Sequence, residues 1–156
     1  MPLLQELAHA LQQRGWMLAT AESCTGGLIA ATCTDLPGSS AWLERGFVTY
    51  SNLAKTQMLG VPAHLIAQHG AVSEEVAYAM AAGACAHAAA QVAVAVTGIA
   101  GPDGGSAQKP VGTVCFGWCV NGQVSVETHH FSGDRAAVRA ATVQKALQGV
   151  LQRLSS

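Results

Sequence analysis

The chain has 156 residues and a formal charge of −1, from eight Lys and Arg against nine Asp and Glu. Half of it is hydrophobic and 11% is charged, which suits one domain with one buried core. This balance gives unfocused attraction to nucleic acid no electrostatic basis, and the sparse surface charge is expected to leave room for a homo-oligomer interface.

Leu3, Leu4, Leu7, Ala8 and Leu11 recur at helical spacing, and Gly15 ends that helix. The segment lacks a charged start followed by an apolar block, so it is not a signal peptide. Longer apolar stretches are broken by Gly, His or Gln before membrane-spanning length. A soluble, cytoplasmic protein without a membrane partner is expected. Trp16 to Thr20 reads as a strand, Glu22 to Gly27 as a tight turn, and Leu28 to Thr34 as a helix closed by Asp35-Leu36-Pro37-Gly38. Ser39 or Ser40 can cap a short helix starting at Ala41. Phe47 to Tyr50 is β-rich and reads as a strand, followed by short helices over Asn52 to Leu59 and Pro62 to Gln68. Ser73 caps a longer helix whose first turn holds Glu74 and Glu75, where the helix dipole favours acid.

Val92 to Val96 is a continuous apolar run, as in a strand buried on both faces. A glycine-rich loop over Thr97 to Gly105 follows. Val111 to Val120 and Val124 to Phe131 read as strands joined by Asn121-Gly122, a strong hairpin signal. Asp134 or Ser132 caps a last helix carrying Val143, Leu147, Val150 and Leu154. The sum is one α/β domain with about five strands in a mixed sheet. The cysteines at 24, 33, 85, 115 and 119 form no close CxxC pair, so reduced, structural thiols are expected. If 111–120 is a strand, Cys115 and Cys119 share one face.

The residues able to do chemistry gather where strands end, the usual place for ligands in open α/β sheets. Ser23, Cys24 and Thr25 precede a helix, where amides could hold a phosphate or oxyanion; alternatively Ser23 or Thr25 simply caps it. Cys24 as a nucleophile would need a partner histidine, and none of His64, His69, His87, His129 and His130 has a diagnostic spacing. Lys55 lies in apolar-flanked surroundings, where desolvation would make it a usable base; the alternative is a solvated helix lysine. Ser39, Ser40 and Ser51 are nearby nucleophile candidates, although Ser51 stands four residues before Lys55 and an SxxK arrangement needs three. The loop over Thr97 to Gly105 can cradle an anion or be a plain connection, and it matches neither a P-loop nor a GxGxxG fingerprint. Arg135 could hold a phosphate or carboxylate, or pair with Asp134. His129 and His130 fall on opposite faces of their strand, and no HExxH or paired-carboxylate signature appears, so no metal or cofactor is expected.

Taken in order, AESCTGG (21–27), LPGSSAWLERGFVTYSNLAK (36–55), QHGAVSEEVA (68–77), TGIAGPDGG with KPVGTV (97–105, 109–114) and FSGDR (131–135) resemble the CinA C-terminal family. The resemblance covers nearly the whole chain and is closest to stand-alone members, the nicotinamide mononucleotide deamidases. It begins at the start of the chain, so the N-terminal domain of full-length CinA proteins is expected to be absent. It implies a three-layer α/β/α sandwich over residues 1–156 and hydrolysis of nicotinamide mononucleotide to nicotinic acid mononucleotide and ammonia. It also implies a Ser/Lys mechanism, with Lys55 as base and Ser40 as the preferred nucleophile over Ser23. Ser23, Tyr50, Thr97 and Arg135 match the family's active-site positions. Tyr50 would pass a proton or hold Lys55, Arg135 would take the phosphate, and Thr25, Gly26, Thr97, Gly98 and Gly101 would contact substrate. Two other readings remain at this stage: a non-catalytic regulatory module, and an amidase for another small amide.

Overall fold

The computed structural model describes residues 2–155. The chain runs through α1 (Pro2–Arg14), β1 (Leu18–Glu22), α2 (Leu28–Cys33), a 3₁₀ turn (Ser39–Ala41), β2 (Leu43–Val48), α3 (Asn52–Leu59), α4 (Ala63–His69) and α5 (Glu74–Ala86). It continues through β3 (Val92–Gly98), β4 (Thr113–Val120), β5 (Gln123–His130) and α6 (Arg135–Leu154). One five-stranded sheet forms in the order β2-β1-β3-β4-β5. β1 pairs in parallel with β2 and β3, and β3, β4 and β5 pair antiparallel.

Alternation along the central strands builds a core on each face of the sheet. Val92, Val94 and Val96 face one core with Leu18, Phe116 and Trp118, closed by α1, α2 and α6. Ala93 and Ala95 face the other with Ala19 and Ala21, closed by residues of α3, α4 and α5. The result is the expected three-layer α/β/α arrangement. Among the described residues, no helix is long and apolar enough to cross a membrane. All five cysteines are free, and Cys115 and Cys119 lie buried on one side of β4.

The turn chemistry follows the sequence closely. Asn121 (φ 50°) and Gly122 (φ 87°) make the β4–β5 hairpin. Ser73 caps α5 by accepting from the Val76 amide at 3.2 Å, and Asp134 caps α6 by accepting from the Ala137 amide at 2.9 Å. Several boundaries differ, and three of the differences are informative. β1 begins at Leu18 and runs to Glu22, two residues beyond the expected end. β2 begins at Leu43 and ends at Val48, well ahead of the Phe47–Tyr50 expectation. It is an edge strand whose Glu44-Arg45-Gly46 centre lacks an apolar signature, and its pairing is set by β1. The short helix expected from Ala41 is a 3₁₀ turn over Ser39–Ala41 headed by Gly38.

The packing of α6 depends on one missing side chain. Trp118 is fully buried, stacks on Phe116 with centroids 5.4 Å apart, and donates its indole N–H to the Ala146 carbonyl at 3.0 Å. A Cβ at Gly149 would lie 2.2 Å from that indole. Gly149→Ala is therefore expected to lower unfolding free energy by about 1–3 kcal/mol through overpacking, despite an intrinsic helix preference for alanine of about 1 kcal/mol. Urea denaturation checks this, and equal or higher stability would contradict it.

Candidate active site

β1 ends on a carboxylate that takes no part in a surface ion pair. Glu22 is 0% exposed. Its Oε1 accepts from the Ile29 amide at 2.8 Å and the Thr25 hydroxyl at 2.6 Å. Its Oε2 accepts from the Ala30 amide at 2.9 Å and the Thr20 hydroxyl at 3.2 Å. The start of α2 has no side-chain cap of its own, because Gly27 occupies the N-cap position at φ 105°. Glu22 does that work, satisfying amides that a helix start leaves orphaned and placing negative charge where the helix dipole favours it. The expectation that Ser23 or Thr25 caps α2 is thus corrected. Ser23 is left free of the cap.

Ser23 stays in the sheet through its backbone, donating its amide to the Val96 carbonyl at 3.1 Å. Its hydroxyl meets Lys55 from the other side. Ser51 caps α3 by accepting from the Ala54 amide at 3.0 Å, which fixes the helix start and directs Lys55 inward. Lys55 is 1% exposed. Its Nζ donates to the Ser23 Oγ at 3.1 Å and to the Tyr50 backbone carbonyl at 3.2 Å. Burial pulls its pKa below the ordinary lysine range, against the opposing influence that Cys24 exerts when ionised. A lysine with only uncharged partners gives up its proton more readily than one beside a carboxylate.

These groups line a pocket of about 260 Å³ beyond the carboxyl ends of β1 and β3. Tyr50, Asn52, Thr97, Gly98 and Arg135 share the wall with Ser23, Cys24 and Lys55. The Thr97 hydroxyl is already donated to the Ala71 carbonyl at 2.9 Å, so it fastens the pocket wall formed by Ala71 and Val72. Arg135, in the first turn of α6, donates to the Gly101 carbonyl at 2.9 Å. A larger groove of about 860 Å³ lies at the opposite end of the sheet, beside the β4–β5 hairpin, and among the described residues its lining holds no serine–lysine contact.

Other expected residues sit elsewhere. Ser40 is exposed in the 3₁₀ turn before β2, where Leu18 at the start of β1 donates its amide to the Trp42 carbonyl. Ser23 follows the far end of β1, so the strand's five residues, about 17 Å at the usual rise, separate the two serines. Within this chain, then, Lys55 is met by Ser23 and not by Ser40. Tyr50 holds Lys55, but through its backbone carbonyl; the residue itself is 64% exposed. Thr25 is fully buried on Glu22, and its carbonyl accepts from Arg139 at 3.0 Å. Thr25, Gly26 and Gly101 support the walls without lining the pocket. Cys24 lines it, but burial pushes its thiol up to about 11, which keeps it protonated near neutrality. His129 is engaged by Glu127 at 2.7 Å and His130 by Thr113 at 3.1 Å. Among the described residues, no group of three or more His, Cys, Asp and Glu is placed to hold a metal.

The family profile described as the CinA C-terminal domain matches residues 1–154. The chain is 55% identical over 148 residues to the nicotinamide-nucleotide amidohydrolase PncC of Enterobacter agglomerans, covering 94% of this chain and 90% of that one. It is 54% identical over 154 residues to the protein of the same name from Escherichia coli K12, covering 98% and 93%. The crystal structure of the competence/damage inducible protein CihA from Agrobacterium tumefaciens superposes with a TM-score of 0.95 at 46% identity, covering 99% of this chain and 94% of that one.

Glu22 carries a prediction of its own. Glu22→Gln replaces one acceptor oxygen with an amide group that faces donors. It is expected to cost about 2–4 kcal/mol of stability, since buried donors lose a charged partner. Chemical denaturation measures this, and a change below about 0.5 kcal/mol, the range of ordinary surface substitutions, would contradict the role.

Proposed function

Because the chain belongs to the CinA C-terminal domain family, we propose that it is a nicotinamide-nucleotide amidohydrolase, converting nicotinamide mononucleotide to nicotinic acid mononucleotide and ammonia in NAD recycling. The observation that carries the mechanism is the 3.1 Å contact between the Ser23 hydroxyl and the buried Lys55 amine. Neutral Lys55 takes the Ser23 proton as Oγ attacks the carboxamide carbon. The tetrahedral intermediate collapses as Lys55 returns that proton to the leaving nitrogen, releasing ammonia and leaving an ester on Ser23. Lys55 then deprotonates a water, which attacks the ester, frees the acid and restores the serine. The Tyr50 carbonyl holds the amine in line throughout, and Arg135 suits the substrate phosphate at the pocket's other side.

The same reading makes residues 1–156 one cytoplasmic domain that binds neither nucleic acid nor membrane. It works as a homo-oligomer, which the exposed Val48, Tyr50, Leu53 and Tyr78 support.

Ammonia release from nicotinamide mononucleotide separates the roles. Ser23→Ala and Lys55→Ala are expected to lose at least about 10³-fold in kcat. Ser40→Ala should keep wild-type turnover, and Arg135→Ala should act chiefly on KM. A dead Ser40→Ala enzyme with an active Ser23→Ala enzyme would reverse the assignment. The pH profile gives a second check. Lys55 works unprotonated and burial lowers its pKa, so kcat/KM should rise with pH and level off below the ordinary lysine value of about 10.4. A rise centred on that ordinary value would mean that the lysine is not perturbed.

A further inference from the structure

The charges around Lys55 are one-sided. Of the residues lining the pocket, Lys55 and Arg135 are basic and none is acidic. The partners of Lys55 Nζ are a hydroxyl and a carbonyl. Cys24 faces it from the β1–α2 turn as a thiol. Glu22, at the end of β1, has both oxygens engaged by the amides of α2 and the hydroxyls of Thr20 and Thr25. From α6, Arg135 holds the Gly101 carbonyl and Arg139 the Thr25 carbonyl. His69 and Lys109 line a separate groove beyond Val72, with Glu74 and Glu75. Among the described residues, Lys55 therefore has no counter-anion in the pocket.

The proposed substrate adds a charge of its own, because N1-substituted nicotinamide is a pyridinium cation. We infer that this permanent ring charge, brought beside Lys55 when the carboxamide reaches Ser23, keeps the lysine unprotonated, so that the site selects carboxamides borne on a cationic ring. The inference rests on the functional reading above. With the carboxamide carbon in near-attack contact with Ser23 Oγ, the ring nitrogen stands about 6 Å from Nζ. At an effective dielectric near 20, a unit charge at that distance lowers a neighbouring ammonium's pKa by about two units. The phosphate, attracted to Arg135 across the pocket, holds the ring there despite the repulsion. The substrate thus completes the activation that burial begins. A neutral ring with the same carboxamide would meet a more protonated, less reactive lysine.

The test titrates Lys55 directly. The chain has three lysines, Lys55, Lys109 and Lys145, so carbon-13 labelling at Cε gives a readable spectrum. In Ser23→Ala enzyme, the Lys55 titration is followed with saturating nicotinamide mononucleotide and with the C-linked benzamide ribonucleotide. The latter carries the same carboxamide, ribose and phosphate on a neutral phenyl ring. The expected result is a Lys55 midpoint lower by about two pH units with the pyridinium ligand. Midpoints agreeing within a few tenths, or a higher one with the pyridinium ligand, would overturn the inference. Ammonia release by the unmutated enzyme is measured alongside. Its absence overturns the functional reading and the premise with it, whereas turnover with equal midpoints overturns this inference alone.

Discussion

An amine buried, among the described residues, in a pocket without an acidic side chain sets the terms for the rest of this site. Lys55 is 1% exposed and, among the described residues, its amine is held by the Ser23 hydroxyl and the Tyr50 carbonyl. Burying a charge in such a place is costly, and the group answers by favouring its neutral form. The same desolvation that burdens the fold is what suits this lysine to the base role proposed for it. The surrounding elements hold the amine where water would otherwise relieve it. Ser51 fixes the start of α3, and Gly83 lets α5 approach its end so closely that a Cβ there would lie 2.0 Å from the Leu59 carbonyl.

The turn after β1 sends neighbouring side chains to different tasks. Glu22 caps α2 from beneath, and Thr25 completes the network around the carboxylate. Ser23 lies between them in sequence, points to the other side, and is needed by neither. A serine that also capped the helix would have its hydroxyl oxygen engaged by amides. The adjacent Cys24 stays a neutral thiol because its burial raises the cost of the thiolate. Two neighbouring side chains of one pocket thus differ in their contacts: the Ser23 hydroxyl accepts from Lys55, and burial keeps the Cys24 thiol protonated.

Much of the fold was legible because its signals are local. The apolar run at Val92 to Val96, the Asn121-Gly122 hairpin and the caps at Ser73 and Asp134 each announce their element within a few residues. β2 was legible only at its Phe47-Val48 end, since the Glu44-Arg45-Gly46 part of this edge strand owes its pairing to β1. For the site, sequence and resemblance identified Lys55, Ser23, Tyr50, Thr97 and Arg135, and the structure brings these to one pocket. The resemblance favours Ser40 over Ser23, whereas the structure sets Ser23 beside Lys55 and Ser40 in the 3₁₀ turn at the other end of β1. Glu22 reads in the sequence as part of a turn. Its available signal was an acid closing an apolar strand, with a threonine three residues on and an uncapped glycine at the helix start.

The most direct measurement is the identity of the acylated residue. Enzyme quenched during turnover of nicotinamide mononucleotide is digested and analysed by mass spectrometry. Cleavage after Arg14 and Arg45 leaves Ser23, Cys24, Ser39 and Ser40 on one peptide, so fragmentation must locate the adduct. The account predicts the nicotinoyl nucleotide ester on Ser23, accumulating with substrate and disappearing on completion. An adduct on Ser40 or Cys24 would contradict it.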